Sequence, residues 1–219
     1  MVFEQHTASL RLVYPKGLVM GFWICVVIAL AAVVRRLMAL VNPGHPGSSP
    51  TASLDATFAS HAALTIAHIL PAAVFVILAV IVLLRAPQNR WIDKLFFMTG
   101  AITGLTAYAL SAYAIGGWIE RAAVFVFDTW FLYCLTRAFW FGVRGNEARK
   151  REWMTRGVGV LLGIATTRPV MGVFFAMSAR THLAPSEFFG WAFWIGFSIN
   201  ALVTEAFLHS SHQQLAKER

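Results

Sequence analysis

The sequence predicts an all-α membrane protein, a single bundle of six transmembrane helices with both termini in the cytoplasm. Three observations predict it. Hydrophobic residues fill 58% of the 219 positions and charged residues only 13%, whereas a water-facing domain carries roughly 25% charged residues. The apolar residues fall in blocks of about 20, the length a helix needs to cross a hydrocarbon core about 30 Å thick. Lys and Arg gather in short connections on one side of those blocks, as cytoplasmic loops do.

The first block, 17–41, follows a flank of mixed charge (Glu4, Arg11, Lys16). Its apolar run from Leu18 to Val34 exceeds the core of a secretory signal, so it reads as a retained helix. From Asn42 to Pro50 the chain is rich in Pro, Gly and Ser and cannot continue that helix. Asp55 or Ser60 is placed to cap the second span, 60–84. Spans at 95–115, 121–142, 157–178 and 187–208 follow, joined by short connections that make neighbours antiparallel. The chain thus divides into an N-terminal helix with its external loop (1–59), a five-helix membrane region (60–208) and a cytoplasmic tail (209–219).

Orientation follows from Lys and Arg alone. One side collects Arg11, Lys16, Arg85, Arg90, Lys94, Arg144, Arg149, Lys150, Arg151, Arg156, Lys217 and Arg219; the other holds Arg121, Arg180 and the pair Arg35–Arg36. That pair is an exception. Either the first helix ends near Val34, or both side chains snorkel outward from its last turns. Trp91, Trp118, Trp153 and Trp191 lie near span ends, where an indole prefers the interface. Gly100 with Gly104, and Gly159 with Gly163, have the spacing that lets helices approach closely.

The net charge of +8 is that of headgroup-facing clusters, with no zinc-finger spacing or aromatic-basic platform, so nucleic acid is not an expected partner; the lipid bilayer is. Cys25 and Cys134 both sit inside apolar blocks and read as buried free thiols.

Ionisable groups at membrane depth are costly and normally face the bundle interior or a cavity. Arg168 sits about eleven residues into its span and needs acceptors, because a guanidinium stays charged. Pro169 follows it and predicts a kink or a ligand-facing break; Pro71 predicts another. Counting along the helices places His68, Asp128 and Arg168, with Tyr108, at similar depth in the outer half. His61 stands seven residues before His68 on nearly the same face. Three arrangements are open: a polar pocket for a small ligand, an Asp128–Arg168 pair that only ties two helices together while His68 donates to a backbone carbonyl, or a coincidence of depth. Glu205 is placed to meet Arg85, Arg90 or Arg156 as a structural ion pair. Arg137 points to headgroups, and His209, His212 and His6 have no visible task. Bis-His haem needs ligands on two facing helices at one depth, which the histidines do not offer; a tetrahedral metal trio is also missing. No cofactor is expected.

His68-Ile69, the Arg85 … Arg90-Trp91 loop, Gly116-Gly117, Arg151-Glu152-Trp153-Met154 … Arg156, Thr167-Arg168-Pro169, the run Phe193 to Phe197 and Glu205 form an ordered set across about two thirds of the chain. In them the sequence resembles a bacterial multi-pass membrane family known only as a domain of unknown function (family 2306). The resemblance implies a helical bundle in the bacterial inner membrane and puts His68, Arg168 and Glu205 at positions of the family pattern. Asn89 and Lys150 stand where that pattern reads His, so any metal or proton chemistry those histidines carry in relatives is absent here. The family lends no activity.

Three functions remain open. The first is binding or transport of a small anionic or carbonyl-bearing ligand clamped by Arg168; for transport so short a chain calls for a homodimer. The second is a membrane enzyme, an oxidoreductase or transferase on a lipid-soluble substrate, with His68 as acid or base and Asp128 as its orienter. The third is a structural subunit in which every buried charge is helix glue.

Overall fold

Five stretches of this chain are helical, long and apolar enough to cross a membrane: Lys16–Val41, Ala62–Leu84, Gly117–Val143, Glu147–Ser178 and Pro185–Gln214. They belong to a computed structural model that describes residues 14–42, 52–85 and 89–217. The described residues contain no strand. In order they form α1 (Lys16–Val41), α2 (Ala52–Ser60), α3 (Ala62–Val80), α4 (Arg90–Ser111), α5 (Gly117–Val143), α6 (Glu147–Leu161), α7 (Gly163–Thr181) and α8 (Pro185–Lys217). A π-helical turn, Ile81–Arg85, ends α3. Most of the expected Pro-rich loop, from Pro43, lies outside the described residues, as does the flank with His6 and Arg11.

The architecture is that of a multi-pass membrane protein. α6 and α7 form one rod, because the Leu162 N–H still bonds Val158 O at 2.9 Å and the Ala165 N–H bonds Leu162 O at 2.9 Å. The expected fifth span thereby reaches back to Glu147. The expected third span is α4, whose 22 residues rise about 33 Å at 1.5 Å each. It is not among the five, since Thr99, Gly100, Thr103, Gly104 and Thr106 dilute its apolar content. Each threonine hydroxyl donates to a carbonyl four residues back: Thr99 to Leu95 at 2.7 Å, Thr103 to Thr99 at 2.8 Å, and Thr106 to Ile102 at 2.7 Å. Their polarity is closed inside the helix.

Small residues set the packing. A Cβ on Gly104 would stand 2.5 Å from Leu132 Cδ2, and one on Gly100 would meet both Phe75 and Leu135 at 2.7 Å. A Cβ on Gly196 would stand 2.6 Å from the Thr167 backbone nitrogen. These contacts lock α4 to α5 and α7 to α8 around a core that includes the fully buried Phe75, Phe96 and Phe131. Thr166 Oγ1 and Asn200 Oδ1, 2.7 Å apart, add a polar clasp between α7 and α8.

Two expectations about the helices are corrected. Pro71 and Pro169 do not end their helices: α3 and α7 continue as helix through them, as neighbouring helices and local adjustments allow in membrane spans. The irregularity in α3 comes later, at the π-helical turn, where Arg151 Nη2 donates to Leu83 O at 3.0 Å. The first helix neither ends at Val34 nor sends both arginines to headgroups. It runs to Val41, and α2 folds back so that Asp55 receives Arg35 at 2.9 Å and Arg36 at 2.6 Å. Phe58 adds its ring 3.9 Å from the Arg36 guanidinium. Asp55, expected as a cap, is a counter-charge.

Candidate functional site

The start of α3 and the adjoining helices enclose a cavity of about 240 Å³. Arg36, Thr57, His61 and Tyr113 line its α2 end, and Val76, Phe131 and Val160 line its far end. Between them stand His68 from α3, Asp128 from α5 and Arg168 from α7. Four of the five residues expected as ligand-binding, His61, His68, Asp128 and Arg168, therefore face one space.

Tyr108 does not. Its hydroxyl lies 2.6 Å from Thr129 Oγ1 and its ring packs on Phe125, on the outer side of α4 and α5. Depth matched and direction did not. The tyrosine that reaches this region is Tyr113, whose ring centroid is 3.6 Å from that of His61. His61 sits at the break between α2 and α3, with Nδ1 2.9 Å from Ser60 Oγ.

His68 is oriented by α4, not by Asp128. Its Nδ1 lies 3.0 Å from Thr106 Oγ1. The Thr106 proton is already committed to the carbonyls of Ile102 and Thr103, so His68 Nδ1 is the donor and Nε2 keeps the lone pair. The spacing of Thr99, Thr103 and Thr106 on one face of α4 was the available signal for this contact.

Asp128 and Arg168 are not an ion pair. Asp128 Oδ2 and Arg168 Nε are both buried without a hydrogen-bond partner among the described residues. Gly104 gives Asp128 its room, since a Cβ there would stand 3.1 Å from Asp128 Oδ1. Arg36, held by Asp55, lines the same cavity as Arg168. The cavity thus presents an exposed lone pair on His68, a carboxylate and a guanidinium, inside mostly apolar walls. Chemically it can hold a small molecule with an acceptor for Arg168 and an apolar body against Phe127, Phe193 and Phe197.

Glu120 also lines the cavity and was not foreseen. Its Oε2 accepts from Gly116 N at 2.7 Å, closing the start of α5. Arg121 beside it donates Nε to Ser111 O at 2.9 Å and Nη2 to Ala112 O, tying the end of α4 to α5.

The remaining charges work at the opposite, basic end. Arg156 Nε is 2.7 Å from Glu205 Oε1; Arg90, expected with it, is exposed, and α4 begins there with Asn89 capping Trp91. Lys150 Nζ reaches Asp93 at 2.6 Å and Glu147 at 3.3 Å. His212, to which the sequence gave no task, lies 2.8 Å from Glu152. The Arg137 guanidinium sits 5.1–5.9 Å from the rings of Tyr133, Trp140, Phe141 and Trp153. Among the described residues no three His, Cys, Asp or Glu side chains gather as a metal site would require.

No protein-family model, no curated protein and no solved structure matches the chain.

Proposed function

We propose that the cavity binds a small anionic or carbonyl-bearing ligand through Arg168, in a bacterial inner-membrane protein of six spans with cytoplasmic termini. One observation carries the reading: the Arg168 guanidinium faces a mostly apolar cavity, with its Nε buried and without a hydrogen-bond partner among the described residues. A buried unpaired charge costs several kcal/mol and is kept where something else requires it. Helix glue accounts for Arg35, Arg36, Lys150 and Arg156, all of which reach carboxylates; it does not account for Arg168. The six-span count is supported by the length of α4, its place between α3 and α5 and the closure of its hydroxyls. Transport of the same ligand, as a homodimer, extends the reading, and membership of the family it resembles belongs to the same proposal.

The test uses benzoate and acetophenone, one anionic and one neutral carbonyl compound with an apolar ring, titrated calorimetrically into the purified protein. Saturable binding of either that Arg168→Gln abolishes, with thermal stability unchanged or higher, supports the reading. Binding of neither, or a large stability loss in Arg168→Gln, sinks it. A second reading has its own observation. The fixed Nδ1 donor of His68 leaves Nε2 free to act as a general base beside Arg168, as a membrane enzyme on a lipid-soluble carbonyl substrate requires. Hydrogen exchange α to the acetophenone carbonyl, lost in His68→Gln while binding persists, would favour it.

A further inference from the structure

A second cavity of about 350 Å³ lies at the basic end, between α1, α6 and α8. Its walls are almost wholly apolar, among them Leu18, Phe22, Val158 and Val203. It runs from Tyr14 to Cys25 along α1, about 16 Å at 1.5 Å per residue. That is about half the thickness of a hydrocarbon core.

Two features say what fits it. Gly17 and Gly21 line the groove, and a Cβ on either would meet nothing within 4 Å. Elsewhere in this chain Gly100, Gly104, Gly163 and Gly196 press against neighbouring side chains or backbone. Glycine in a helix interior costs about 1 kcal/mol against alanine, and here no described residue occupies the space it leaves. The second feature is charge. Arg151 stands at the Tyr14 end, one turn before Thr155, with Nη2 on Leu83 O and Nε buried without a hydrogen-bond partner among the described residues. Lys16 is exposed in the first turn of α1, two residues after Tyr14.

We propose that this groove holds one acyl chain of an anionic phospholipid, with the lipid phosphate set against Arg151. Asn200, which takes the Thr166 hydroxyl at 2.7 Å, lines the groove, and so do Leu83 and Thr155 next to Arg151. Basic pockets between transmembrane helices recognise anionic headgroups in this way. The site is separate from the Arg168 cavity and stands or falls without it.

The experiment is native mass spectrometry of the full chain, exchanged through detergent containing phosphatidylglycerol or phosphatidylcholine with the same acyl chains. Wild type is expected to retain one phosphatidylglycerol, and at least tenfold less phosphatidylcholine. Gly21→Leu fills the groove from a position with free space, so it is expected to fold normally and to lose at least tenfold of the retained lipid. Gly17→Leu repeats the test one turn away, and Arg151→Gln is expected to erase the preference for phosphatidylglycerol while chain binding remains. Equal retention of the two lipids by wild type overturns the proposal. So does undiminished phosphatidylglycerol in both filled variants, or a wild-type dimer that Gly21→Leu splits, which would put a second copy's helix in the groove.

Discussion

Three ion pairs at the basic end contrast with Asp128 and Arg168 in the cavity, although Arg137 Nε, Arg151 Nε and Glu152 Oε2 at the basic end are also buried without a hydrogen-bond partner among the described residues. At the basic end Lys150 meets Asp93, Arg156 meets Glu205 and Glu152 meets His212, each within 2.8 Å. In the cavity toward α2, Asp128 and Arg168 face one space without a bond between them. Pairing offsets the desolvation of both partners; separation leaves each unpaired group at full cost. The first region joins its helices through ion pairs. The second turns Asp128 and Arg168 into a cavity instead of toward each other.

Four substitutions sharpen that contrast or break it. Lys150→Met is expected to have the largest effect, about 3 kcal/mol lost, because it strands Asp93 beside a buried site. Reversible unfolding in detergent measures it, and a loss under about 1 kcal/mol would reduce the pair to an ordinary surface contact. Gly196→Ala comes next at roughly 1–3 kcal/mol, since its new methyl meets the Thr167 backbone, which cannot turn aside. The same unfolding curve serves, and an unchanged midpoint would mean α7 and α8 separate easily. Arg156→Gln should cost at most about 1 kcal/mol, because Glu205 remains 45% exposed; a double-mutant cycle with Glu205→Gln isolates the pair term. Asp128→Asn should move stability least, by about 0.5 kcal/mol or less and in either direction. A loss near 3 kcal/mol there would place Asp128 with the glue and remove the contrast.

How far the site was legible can be read from individual residues. His68, Asp128 and Arg168 were found by depth counting, which works because a helix rises a fixed distance per residue, and His61 by sharing a helical face with His68. Tyr108 failed by the same method, because depth carries no information about which side of α4 a ring leaves from. Asp55 was seen only as a local cap, yet its partners lie about 20 residues earlier, across a turn whose course no local rule supplies. Glu120 was passed over although Gly116-Gly117 before it and Arg121 after it marked a helix start. Each proline removes one backbone donor, yet α3 and α7 continue as helix past Pro71 and Pro169.

By itself the sequence determined the class of the protein, the approximate position of its spans and the list of groups too costly to bury without reason. Those follow from hydropathy and helix geometry, which are properties of the chain alone. Only the tertiary structure decided that Arg35 and Arg36 are gathered by Asp55, that His68 answers to Thr106, and that Asp128 and Arg168 share a cavity unpaired. Each of those is a matter of which helix faces which, and that is set by glycines and aromatic rings packing at distances of a few ångströms between segments far apart in sequence.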